Sequence, residues 1–213
     1  VDNEVEIRII GMQRSGNHPI IDWIGSMLPN KSCILNFVNG LNPLENHVRG
    51  EDTLIGLTKE GVLKGNKRYL IYNYEDDLID DIHIDKNSTG ISDKIIDILI
   101  LRDPYNLFAS RIKRGENVKL KHKTKEQKEA VRKVWMEHAN EALGKTNKLA
   151  HNKIIILFNK WFADEDYRKD VAKRLGLSYK DNTLNKVSKI GGGSSFDVFR
   201  FKGNAQQMKV FER

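Results

Sequence analysis

The sequence predicts an α/β fold, a single domain over residues 1–213 built as a three-layer sandwich around a central parallel sheet. Three observations predict it. Short apolar, β-branched segments alternate along the chain with stretches of helical period. The strongest of these segments, residues 95–101 (IIDILIL), is almost wholly apolar, as a strand covered on both faces must be. No internal repeat and no linker divides the chain, and 213 residues are enough for one substantial core.

The elements follow in order. Residues 5–10 alternate and then turn fully apolar, predicting the first strand, and a glycine-bounded loop over 11–16 follows it. Ile20, Ile21, Ile24 and Leu28 recur at helical spacing, with Pro29 as the stop. Residues 33–38 and 68–74 read as further strands, separated by a stretch rich in Gly and Asn without clear period. After the strand at 95–101, Asp103 caps a helix that starts at Pro104 and runs to about Arg114. Thr124 and Gln127 predict a capping box for a long polar helix ending near Gly144. Residues 153–158 predict the last strand. Asp164 opens a helix carrying Val171 and Leu175, closed by Gly176. The segment Gly191-Gly192-Gly193-Ser194-Ser195 reads as a loop, and Trp135 and Trp161 are expected to pack in the core.

Composition narrows the function classes. Hydrophobic residues make up 39% and charged residues 31%, an ordinary balance for a globular protein. No apolar run reaches the ~20 residues of a membrane span, so no membrane segment is expected. Cys33 is the single cysteine, which excludes an intrachain disulfide and a cysteine zinc framework and suits a reducing, cytoplasmic setting. The chain begins at Val1, so an upstream targeting or anchoring segment stays open. A net charge of +7 favours a polyanionic partner: nucleic acid, an anionic surface, or a multiply phosphorylated small molecule.

The loop Gly11-Met12-Gln13-Arg14-Ser15-Gly16, followed by Asn17-His18, has the glycine spacing of the nucleotide-binding P-loop, and this makes the predicted fold P-loop-like. Terminal glycines let the backbone turn tightly, so that consecutive N–H groups can face one anion at a helix N-terminus. A P-loop NTPase needs Lys and then Ser or Thr at the two following places, for the phosphates and for magnesium. Asn17 and His18 stand there instead, and the cation has moved into the loop as Arg14. The cradle is kept without the metal ligand. The bare spacing also fits a plain strand-to-helix turn. Arg102, ending the strongest strand, and Ser110, on the next helix, face the rim where α/β sheets bind ligands. Together they suit a second phosphate, although either alone is more simply an ordinary surface group.

Gln13-Arg14-Ser15-Gly16-Asn17 resembles the 5′-phosphosulfate loop of the sulfotransferase family, and Arg102 with Ser110 in RDPYNLFAS resembles its 3′-phosphate motif at matching spacing. The stretch IIILFNKWFADEDYRKDVAKRLGL (154–177) is similar to the family's strand, acidic segment and helix ending in Leu-Gly-Leu. The resemblance spans most of residues 5–177. It implies an enzyme that moves a sulfuryl group from 3′-phosphoadenosine 5′-phosphosulfate (PAPS), bound as co-substrate without a metal, to a hydroxyl or amine acceptor such as a glycan or small metabolite. By position, Gln13, Ser15, Gly16, Asn17 and His18 would contact the 5′-phosphosulfate, Arg14 would neutralise the leaving phosphate, and Arg102 and Ser110 would hold the 3′-phosphate. The family usually has Thr where Asn17, and often His18, stands. Its C-terminal Arg-Lys-Gly element is replaced here by Lys189 and a glycine run. Gly192 and Gly193 are expected to do that work through backbone N–H groups, helped by Arg200 or Lys202.

The acceptor also needs a base, usually His or Glu in that family. Asn73 lies nearest the position used in the cytosolic branch and cannot take a proton. Glu75, just beyond it, is the first choice, ahead of Asp76 and of Glu45 and His47 in the earlier loop. Arg14, His18 and Glu75 are thus the candidate catalytic residues.

The basic stretch at 111–133 reads first as a solvated face, second as a dock for an anionic acceptor, and last as a nucleic-acid surface, because it lacks interleaved aromatics. A magnesium-dependent nucleotide kinase and a non-catalytic anion-binding protein are the competing functions.

Overall fold

The computed structural model describes residues 3–28, 32–35, 67–82, 90–117, 124–181, 184, 187, 194, 196–197 and 200–212. Five strands are described: β1 (Asn3–Gly11), β2 (Ser32–Leu35), β3 (Lys67–Glu75), β4 (Ser92–Leu101) and β5 (Ile154–Leu157). They form one sheet in the order β2-β3-β1-β4-β5, with every neighbouring pair parallel. The helices are α1 (Asn17–Met27), α2 (Pro104–Asn117), α3 (Lys125–Ala142), α4 (Phe158–Ala163) and α5 (Glu165–Leu175). The three-layer α/β sandwich on a parallel sheet is the architecture the sequence predicts.

Alternation within the strands builds the two outer layers. Ile96, Ile98 and Ile100 of β4 join Ile7 and Ile9 of β1 against α1, α4 and α5. On the opposite face Ile10, Tyr72, Tyr74 and Leu99 pack with Leu149 and with Ala142 of α3. Met12, Leu107 and Val134 form a third cluster that presses the β1 loop onto α2 and α3. The largest buried rings, Trp23 and Trp161, meet edge to face at 5.8 Å, the geometry that aromatic quadrupoles favour. Trp161 is in the core as expected, whereas Trp135 is half-buried and donates its indole N–H to the Arg102 carbonyl at 3.1 Å. Asp97 interrupts the apolar run of β4 and is fully buried. It lies opposite Arg8 in the β1–β4 register and accepts from its Nε at 2.6 Å. A buried carboxylate is tolerable only with such a partner.

The predicted punctuation marks hold. The Asp103 carboxylate accepts from the Asn106 N–H at 2.9 Å, and Thr124 and Gln127 exchange both bonds of a capping box. Gly176 closes α5 in the left-handed conformation at φ 73°. Several boundaries differ from expectation: β1 and β4 begin earlier than the apolar runs, at Asn3 and Ser92, and α2 runs on to Asn117. The second strand is described over Ser32–Leu35, and residues 36–38 of the predicted segment lie outside the described residues. The last strand stops at Leu157, because Phe158 turns into the short helix α4 and stacks on Trp161 at 6.0 Å. An apolar run cannot show by period alone where strand gives way to buried helix. Among the described residues, no helix is long and apolar enough to cross a membrane.

Candidate functional site

The sheet order fixes where a site can form. β1 and β4 lie side by side at the centre, and the chain leaves β1 toward β2 on one side and β4 toward β5 on the other, so the connections part at their carboxyl ends. A crevice opens at such a switch point. Four chain segments converge there: the loop after β1, the end of β3 at Glu75, the end of β4 at Arg102, and Phe158 after β5.

The loop is held in a conformation that few sequences allow. Arg14 and Gly16 both have positive φ, 73° and 97°. Ser15 N–H closes a turn onto the Met12 carbonyl at 3.0 Å. A Cβ on Gly11 would lie 2.3 Å from Asn17 Oδ1, and one on Gly16 would lie 2.1 Å from the Phe158 ring. The two glycines are therefore steric requirements. Gly16 is also the N-cap of α1 and makes no side-chain cap hydrogen bond, so the positive end of the helix dipole faces the loop. Gly16→Ala is expected to cost roughly 2–4 kcal/mol, from the left-handed backbone and the ring overlap together. A urea midpoint equal to that of the parent chain would contradict this account of the loop.

The two motifs, 88 residues apart in sequence, meet in space. Arg102 is buried, donates from Nη1 to the Arg14 carbonyl at 2.8 Å, and lies over the Phe158 ring at 4.8 Å. Arg14 in turn reaches across to α2, where its Nε stands 3.4 Å from the buried hydroxyl of Ser110. Two guanidinium groups and one hydroxyl therefore gather beside the loop.

Glu75 faces the same loop from the end of β3, opposite Gly11 in register. Its Oε1 accepts from the side-chain amides of Asn17 and Asn73, both at 3.2 Å, and lies 3.9 Å from His18 Nε2. The Asn17 carbonyl oxygen is turned the other way, 2.8 Å from the Ser15 hydroxyl, which is also 2.6 Å from the Met12 carbonyl. The Glu75 side chain is only 4% exposed. Burial pushes its carboxyl up to about 7, with Asp76 adding to the rise, against the opposing pull of the Asn73 and Asn17 hydrogen bonds and of Arg14. Such a group changes charge near neutrality, where a proton acceptor is most useful.

Of the remaining sequence candidates, Gln13 takes part through its backbone. Its N–H donates to Asp76 Oδ1 and its carbonyl accepts from Arg111 Nη1, both at 3.1 Å. Arg200 lies 5.6 Å from the centre of the Phe201 ring, and Lys202 is exposed. Gly192, Gly193, Lys189, Glu45 and His47 lie outside the described residues. The first half of α3 is exposed, as the solvated reading of the basic stretch expects. Arg111 departs from that reading, since only 11% of its side chain is exposed and it forks onto Asp76.

Sequence reasoning weighed Asp76 only as a base behind Glu75 and Arg111 only within the basic stretch; it missed their pairing on the loop, the Phe158 ring beneath Gly16 and Arg102, and the donor role of Asn73. Asp76 and Arg111 adjoin Glu75 and Ser110 in sequence, and that adjacency is the one signal that could have suggested their pairing. Among the described residues, no cluster of His, Cys, Asp or Glu is arranged to hold a metal ion.

No protein-family model matches the chain, and no curated protein matches it by sequence. Among solved structures it is similar to mouse sulfotransferase SULT7A1 complexed with PAP, with a TM-score of 0.49 at 16% identity over 84% of this chain. The match covers 61% of the mouse protein, so the chain spans about three-fifths of that protein's length.

Proposed function

We propose that the chain binds PAPS and transfers its sulfuryl group to a hydroxyl or amine acceptor, a small molecule or a glycan. The observation that carries this reading is the convergence of Arg102 and Ser110 on the glycine loop, through Arg14. One nucleotide with a phosphosulfate at its 5′ end and a phosphate at its 3′ position presents two anionic groups to such a pair of neighbouring cationic places. In the proposed reaction the loop N–H groups and Arg14 stabilise the charge that develops on the departing phosphate oxygen. Glu75 accepts the acceptor's proton as the acceptor oxygen or nitrogen forms its bond to sulfur and the sulfur–oxygen bond to the phosphate breaks. Asn17 and His18 lie between loop and carboxylate, where they would orient the transferring group.

A magnesium-dependent kinase is the weaker reading. Asn17 occupies the place of the P-loop lysine, is 3% exposed, and spends its amide on Glu75. Calorimetry separates the functions. Adenosine 3′,5′-bisphosphate is expected to bind without metal, while ATP with magnesium and a short oligonucleotide bind far more weakly. Ser110→Ala is expected to weaken the bisphosphate about tenfold, the loss of one hydrogen bond to a charged group. Absence of bisphosphate binding to the parent chain would end the proposal.

A further inference from the structure

We propose that Asp76 and Arg111 are positioning residues that clamp the peptide of Gln13 and so keep the loop in register with Glu75. The proposal rests on the loop being the donor cradle, but its geometry stands by itself. Asp76 has a left-handed backbone at φ 68°, and its N–H donates to the Gly11 carbonyl at 3.1 Å. Its Oδ1 accepts from the Gln13 N–H at 3.1 Å and from Arg111 Nη1 at 2.6 Å, and its Oδ2 accepts from Nη2 at 3.0 Å. The same Arg111 Nη1 donates to the Gln13 carbonyl at 3.1 Å. Both backbone polar groups of residue 13 are thereby held by side chains, from the turn after β3 and from α2, immediately before the left-handed Arg14.

Three site elements are joined by this arrangement. Asp76 follows Glu75 directly, Gln13 precedes Arg14, and Arg111 follows Ser110 on α2. Fixing residue 13 between them sets the direction in which the succeeding N–H groups point. It also sets how far the loop stands from the carboxylate at 75. The fork is planar and bidentate, the arrangement in which Arg holds a carboxylate with defined orientation. With 11% and 24% of the side chains exposed, the pair is largely withdrawn from water, so removing Arg111 leaves the Asp76 carboxylate without its main partner and costs global stability as well. Because both side chains close on Gln13, their loss is expected to loosen the loop by more than it loosens the rest of the fold, and a purely structural ion pair would not behave so. Small misplacements of a cradle have large consequences for in-line transfer.

Native-state amide exchange and calorimetry on the whole chain test this. In Arg111→Ala, Gln13 and Ser15 amides are expected to exchange about tenfold faster without ligand, and bisphosphate affinity to drop about tenfold. The melting temperature is expected to fall by several degrees in Arg111→Ala and to recover in part when Asp76→Asn is added, which leaves no unpaired carboxylate. Arg111→Lys restores part of both losses. Asp76→Asn keeps the left-handed backbone, which Asn tolerates, and combined with Arg111→Ala it should be no worse than Arg111→Ala alone, as coupled partners require. Unchanged exchange at Gln13 overturns the clamp. So does exchange at Gln13 that rises by no larger a factor than at Leu99, since that marks general loosening of the sheet. A parent chain that fails to bind the bisphosphate sinks the donor reading, and the exchange rates of the ligand-free variants still decide the clamp.

Discussion

Glu75→Gln is expected to lower sulfuryl transfer by about a hundred- to ten-thousand-fold, the usual contribution of a general base, while bisphosphate binding is kept and stability above neutral pH rises. The Gln carbonyl oxygen can still accept from Asn17 and Asn73, so the local hydrogen bonds survive the change. What disappears is the ability to take a proton. In the parent chain the carboxyl ionises near pH 7, so kcat/KM should fall about tenfold per pH unit below that value and level off above it.

The stability effect has the opposite sign and needs no acceptor. A carboxyl raised from its ordinary 4.5 to about 7 binds its proton more tightly folded than unfolded. Its stabilising contribution is complete below pH 4.5, declines as the pH climbs between those two values, and is gone above about 7. The full span is on the order of 3 kcal/mol. Glu75→Gln removes this pH dependence, so the variant should gain on the parent progressively across that window and hold the gain at pH 8. Urea unfolding at pH 4, 6 and 8 measures it, and labelled donor with a panel of hydroxylated and glycan acceptors measures the rate. A parent rate flat between pH 6 and 8, or a variant no more stable than the parent at pH 8, would remove Glu75 from the role of base.

Arg102→Ala is expected to weaken adenosine 3′,5′-bisphosphate about a hundredfold, the scale for losing a buried charge-assisted contact. Arg102 also supports the loop through the Arg14 carbonyl and packs on Phe158, so a fall in affinity alone would not show what the guanidinium touches. Adenosine 5′-monophosphate, which lacks the 3′-phosphate, separates the two roles. If Arg102 grips that phosphate, the monophosphate is affected far less than the bisphosphate. Equal losses for both ligands would mean that Arg102 acts only by shaping the loop. Arg102→Lys keeps the charge but not the fork and should fall between the parent and the alanine variant.

The layers of this fold were legible because each rests on a local signal. The run at 95–101 announced a strand covered on both faces, and Gly176 and the Thr124–Gln127 pair marked helix ends through their own backbone chemistry. The boundary at Phe158 was not legible. What ends β5 is the fit of that ring against Trp161 and against Gly16, far earlier in the chain.

The sequence by itself determined the glycine loop, the cation within it and the Arg102–Ser110 spacing, all short-range patterns that survive without tertiary context. Only the tertiary structure decided that Arg102 reaches the Arg14 carbonyl, and that Glu75 is buried among amides with its carboxyl raised toward neutrality. It alone brought Asp76 and Arg111, 35 residues apart, to close on the Gln13 peptide. Burial and electrostatic partnership depend on which strand ends the parallel sheet sets side by side. That order, β2-β3-β1-β4-β5, is fixed by how whole layers pack, a property no single stretch of residues carries.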